Sequence, residues 1–144
     1  METEGRLLHQ IELDNGLTMF LRDQSKPIVG NRWQLKLQIT VPIIIKAEYL
    51  AKCEDPQQAF RELTDALGST LQFTLEKVRN FVDESKFAGL MEQMTRDFLQ
   101  SSQAYIASVN FAEKFTLKKY AEWKEEEIWQ KNRRETIKET EQKG

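Results

Sequence analysis

The sequence predicts an α+β fold: an antiparallel sheet of three to four strands, in the order β-β-β-α-β-α-α, with helices packed on one face. Three observations carry that expectation. Two segments near the start alternate apolar and polar residues around Asp14-Asn15-Gly16, a turn sequence that joins antiparallel strands. Residues from Arg32 to Val41 alternate without a break, the period of a half-buried strand. Further along, apolar residues fall three and four apart, the period of a helix with one buried stripe.

The register of the first hairpin follows from its faces. Leu7, His9, Ile11 and Leu13 alternate on one side of the turn, and Leu17, Met19 and Leu21 on the other. A two-residue loop at Asn15-Gly16 would set Glu12 opposite Met19. A three-residue loop, with Gly16 in the left-handed region, pairs Leu13 with Leu17, Ile11 with Met19 and His9 with Leu21. The second register keeps one face apolar and is the one expected.

In the third strand Trp33, Leu35, Leu37, Ile39 and Val41 share one face, and Arg32, Gln34, Lys36, Gln38 and Thr40 share the other. Pro42 places it at a sheet edge or bends it there. Asp55-Pro56 then starts a helix with an N-cap and a first-turn proline, and Gly68 ends it. Residues 69–82 are ambiguous: Leu71, Phe73 and Leu75 alternate as in a strand, while Leu71, Leu75, Val78 and Val82 also suit a helix. Their β-branched and aromatic content favours a fourth strand. Asp83 caps a helix carrying Phe87, Leu90, Met91, Met94 and Phe98. Asn110 with Glu113 resembles a capping box for a further helix. A single domain is expected over residues 1–129, with 130–144 a charged helix end or flexible tail.

Composition narrows the chemistry. The chain has 144 residues, is 40% hydrophobic and 31% charged, and carries a net charge of −2. Its longest apolar run, Val41 to Ile45, is far short of the ~20 residues of a membrane span, so no membrane is expected. The polar, acidic start does not resemble a signal peptide. One cysteine, Cys53, forms no internal disulfide, and these features together suggest the cytoplasm. With one histidine, His9, and no glycine-rich phosphate loop, the chain lacks the parts that most nucleophilic, metal or nucleotide chemistry needs. No catalytic residue, cofactor or metal is expected.

Each conspicuous polar residue has an ordinary structural reading. His9 suits a strand rim. Glu122, Glu125 and Glu126, interleaved with lysines, suit a solvated helix face. Cys53 is followed by Glu54 and Asp55, and acids beside a thiol disfavour its reactive thiolate. The carboxylate pairs Glu54-Asp55 and Asp83-Glu84 suit helix starts.

Two surfaces are candidates for binding. The outer sheet face sets Phe20 among Arg22, Arg32 and Lys36. Trp123 and Trp129, six residues apart, do not share a helical stripe, so one can pack inward while the other anchors a partner. The function expected is therefore a small non-catalytic domain that binds a protein partner or itself through Phe20, Arg22, Arg32, Lys36, Trp123 and Trp129. The alternatives are RNA binding on the outer sheet face, and a ligand or enzyme pocket between sheet and helices lined by Trp33, Phe73, Phe87 and Met94.

Overall fold

The computed structural model describes residues 5–143, with side chains described through Thr140. The elements are β1 (Arg6–Glu12), β2 (Thr18–Asp23), β3 (Lys26–Pro27), β4 (Arg32–Ile44), α1 (Pro56–Leu67), β5 (Thr70–Asp83), α2 (Phe87–Ile106) and α3 (Phe111–Lys143). The fold is α+β: an antiparallel sheet with three α-helices. The described residues form two compact units, residues 5–44 with 70–111, and residues 45–69 with 112–143.

The first unit is the sheet and α2. The strand order is β1-β2-β4-β3, and β5 pairs with β4. All pairings are antiparallel. The hairpin takes the register expected from its faces: Ile11 opposes Met19 and His9 opposes Leu21, and the Leu13 N–H donates to the Leu17 carbonyl at 2.8 Å. Gly16, at φ +87°, supplies the left-handed residue, which costs an L side chain but not glycine. Of the two alternatives that Pro42 offered, the strand order removes the edge position. β4 is central, flanked by β2 and β3 on one side and β5 on the other. Pro42 nevertheless lies past the last residue paired with β2, Thr40, where β5 is the neighbour, so its missing N–H falls where the ladder is one-sided.

Residues 70–83 form a strand, paired with β4 from Arg32↔Asp83 to Ile44↔Thr70. The region Asp23 to Asn31, read from sequence as a plain connection, contributes a short ladder: Lys26 opposes Gln34 and Pro27 opposes Trp33. Alternation then builds the core. Met19, Leu21, Leu35, Leu37, Ile39, Val41 and Ile43 are fully buried on one sheet face. From α2, Met91, Met94, Phe98 and Ile106 are buried. Each such side chain removed from water contributes about 1.5–3 kcal/mol. Trp33 meets Phe87 edge-to-face at 5.2 Å.

Two bulges interrupt the ladders. One lies between Leu7 and His9 in β1. The other lies opposite the Trp33–Leu35 step, where Asn80 and Phe81 of β5 together face Gln34. Phe81 takes φ +56° there, a left-handed conformation rare for a bulky side chain.

The second unit joins α1, the turn Ala47–Leu50 and nearly all of α3. Asp55 caps α1, accepting from the Gln58 N–H at 3.2 Å, and Pro56 occupies the first turn. Gly68, at φ +86°, ends the helix and donates its N–H to the Thr64 carbonyl at 2.9 Å. The buried set is Ile45, Leu50, Ala59, Leu63, Ala112, Thr116 and Tyr120. Thr116 satisfies its buried hydroxyl by donating to the Ala112 carbonyl at 2.7 Å. Helix α3 runs through residues 130–143, and every side chain from Lys131 to Thr140 is exposed.

Candidate protein-interaction site

The outer sheet face gathers Phe20, Arg22 and Lys36, since Phe20 opposes Thr40 and Arg22 opposes Gln38. Its cations already have partners. The Arg22 guanidinium lies 5.0 Å over the Phe20 ring and donates to Thr40 Oγ1 at 3.1 Å. Lys36 Nζ sits 2.9 Å from a Glu76 carboxylate oxygen. Arg32, at the start of β4, faces Asp83 at 3.8 Å. The face is polar, but its aromatic lies beneath a guanidinium and its charges are answered.

The two tryptophans diverge. Trp123 is half-buried and stacks on Tyr120, with ring centroids 5.9 Å apart. Trp129 is 53% exposed, and the Arg133 guanidinium lies 5.3 Å over its ring. Tryptophan and arginine side by side are the residue types most enriched among binding anchors.

A further surface was not readable from the sequence. β1 ends the strand order and pairs with β2 alone among the described strands. Between its other side and α2 runs a groove of about 480 Å³, within the size range of ligand sites. The strand contributes Arg6, Leu8 and His9; the helix contributes Phe87, Met91, Thr95, Arg96 and Leu99 among others. The floor is mostly apolar and each wall carries an arginine. Arg6 is 3.8 Å from Asp23, and Arg96 is 2.8 Å from Glu92. The Leu13–Leu17 hydrogen bond sets the phase of the ladder. Alternate residues of an antiparallel strand bond to opposite sides, so Gln10 and Glu12 turn their backbone N–H and C=O groups away from β2.

Trp33, Phe73, Phe87 and Met94, expected from sequence to line a pocket, lie on β4, β5 and α2. Phe87 lines the β1–α2 groove, whereas Met94 lines a smaller one of about 260 Å³ beside β5. Trp33 is engaged with Phe87, and Phe73 meets Phe111 edge-to-face at 5.3 Å.

His9 is exposed on the groove's strand side. Cys53 is half-buried beside a cavity of about 360 Å³ that Glu62, Tyr120 and Lys124 also line. There the Tyr120 hydroxyl donates to Glu62 Oε1 at 3.3 Å. Burial, then the Glu62 charge, pushes its pKa above the ordinary phenol value. Asp55 and Asp83 cap turns through the N–H groups of Gln58 and Ser85. Among the described residues, no group of three or more His, Cys, Asp or Glu side chains is arranged to hold a metal ion. No helix among them is long and apolar enough to cross a membrane.

Sheet, helix and groove define an α+β protein whose β1 edge has no partner strand among the described residues and lies beside an apolar cleft. Comparison with known protein families, with curated proteins and with solved structures found no match for this chain.

Proposed function

We propose that this chain is a non-catalytic protein-interaction domain that works in the cytoplasm. The observation that supports this reading is the outer edge of β1, without a partner strand among the described residues, lying beside an apolar groove. An exposed edge invites unwanted pairing, and proteins usually blunt or cover it. An edge kept open next to a cleft lined by Leu8, Phe87, Met91 and Leu99 suits recognition of another polypeptide. The outer face favours RNA less, because Arg22, Arg32 and Lys36 each already face a partner within the chain.

The test is capture of partners from native lysate on the tagged chain, with and without nuclease. A stoichiometric protein that survives nuclease is the expected result. Material lost on nuclease treatment would overturn the reading in favour of nucleic acid. Recovery of the native protein outside the cytosolic fraction would overturn the location.

A further inference from the structure

We infer that two copies of this chain pair through the outer part of α3, antiparallel and side by side, with Trp129 of one copy against Trp129 of the other. This goes beyond the partner-binding reading and does not depend on it. Ala112, Thr116 and Tyr120 form the buried side of α3. Trp129 comes nine residues after Tyr120, about two and a half turns, so it lies on the side of the helix away from that core. It is 53% exposed, and Ile137 on the same side is 48% exposed. Among the described residues, no ion pair reaches the stretch from Lys131 to Thr140. A helix that is polar on every side needs many such pairs, or a neighbour, to persist.

Charge identifies the neighbour as a second copy. Residues 122–127 hold four glutamates and one lysine, a net −3, and residues 131–138 hold four cations and one glutamate, a net +3. Parallel copies would set like charge against like. Antiparallel copies set each block beside the opposite block of the other, and such complementarity fixes orientation and register. With Trp129 on the two-fold axis, residues equally far from it on either side meet across the pair. Glu125 then meets Arg133 of the other copy, at two symmetric places, and the exposed Ala121 comes beside Ile137. Ala121, Glu125, Trp129, Arg133 and Ile137 are four apart, one ridge of the kind that packs along a second helix. Glu125 is exposed and in no ion pair among the described residues. Arg133 lies over its own Trp129 ring, and a guanidinium has N–H donors enough for ring and carboxylate together. The contact is short, at the small end of protein interfaces, so the pair is weak and a dilute chain is single.

The experiment is sedimentation equilibrium of the full chain over a series from micromolar to millimolar concentration. The average mass should rise toward two copies and go no further, because a two-fold contact uses the same surface of both, and added salt should lower it. Arg133→Glu and Glu125→Arg should each weaken pairing by about tenfold or more, since each brings like charges together at both symmetric places. Both positions are exposed, so the fold is kept. An equimolar mixture of the two single variants should pair again, each supplying the charge the other lacks, a rescue that general loss of structure would not produce. A single copy at every concentration, growth beyond two copies, indifference to the charge variants, or no rescue in the mixture would each overturn the inference.

Discussion

The Asn15 side-chain amide donates to the Ile106 carbonyl at 2.8 Å, tying a hairpin tip to the end of a helix 91 residues away. The same amide reaches the Ser108 carbonyl at 2.9 Å, and Asn15 Oδ1 accepts from the Leu17 N–H at 3.1 Å. The last carbonyls of a helix have no partner within it, so one residue serves both turn and helix. Asn15→Ala is expected to lower stability by about 1–3 kcal/mol. Asn15→Asp should cost more, because it sets a negative charge at the negative end of the α2 dipole. Urea midpoints of the two variants check this; a milder effect for the aspartate would contradict it.

Phe81 predicts a gain. It is 67% exposed, so its side chain contributes little packing, and it holds φ +56°. The left-handed conformation costs a residue with a Cβ roughly 1–2 kcal/mol. Glycine avoids that cost, though it loses more freedom on folding. Phe81→Gly is expected to raise stability by about 0.5–1 kcal/mol. A lower thermal midpoint would show that the exposed ring makes a contact worth more than the strain.

Asp83 gives a pH signature. Hydrogen bonds from the Ser85 N–H and hydroxyl, both 3.0 Å, and the nearby Arg32 charge hold its pKa below the ordinary 3.8. The folded state therefore favours the ionised form. The resulting stability is present above that ordinary value and is lost as pH falls through the lower folded-state value. Asp83→Ala should be less stable than wild type at pH 6, with the gap closing toward pH 2. A gap independent of pH, in urea titrations across that range, would rule the carboxylate out as its source.

The outer face and the groove are separable. Phe20→Ala combined with Trp129→Ala should leave capture of a protein partner unchanged, since neither residue lines the groove. Trp129→Ala alone should change stability by less than about 0.5 kcal/mol, as surface substitutions usually do. Loss of partner capture by the folded double variant would move the binding surface to the residues singled out from sequence.

Local chemistry was legible. Asp14-Asn15-Gly16 with its flanking faces specified the hairpin register, and Asp55-Pro56 with Gly68 bounded α1. Both depend on residues close together in the chain. Residues 69–82 were harder to read because Lys77 and Arg79 oppose Leu37 and Leu35 on the inward parity. That interrupts the apolar alternation and makes Val78 and Val82 look helical.

The bulge at Phe81 had no glycine to announce it. The groove was invisible for another reason. It exists only where β1 meets α2, and Leu8 and Met91 are far apart in sequence. The candidate residues Phe20, Arg22 and Lys36 were correctly grouped on one face, but their internal partners, Thr40 and Glu76, depend on cross-strand register.

The outer half of α3 has a consequence for how the chain responds to heat. From Lys131 to Thr140 every side chain is exposed, so those turns are held chiefly by their own backbone bonds and by neighbours one turn away, such as Arg134 to the Gln130 carbonyl at 3.3 Å. Helices with only local support shed and regain turns within about a microsecond, without waiting for a core to open. Circular dichroism should therefore decline gradually well below the main transition. Backbone amides in that stretch should take up deuterium long before those of β4, where strands on both sides must part first.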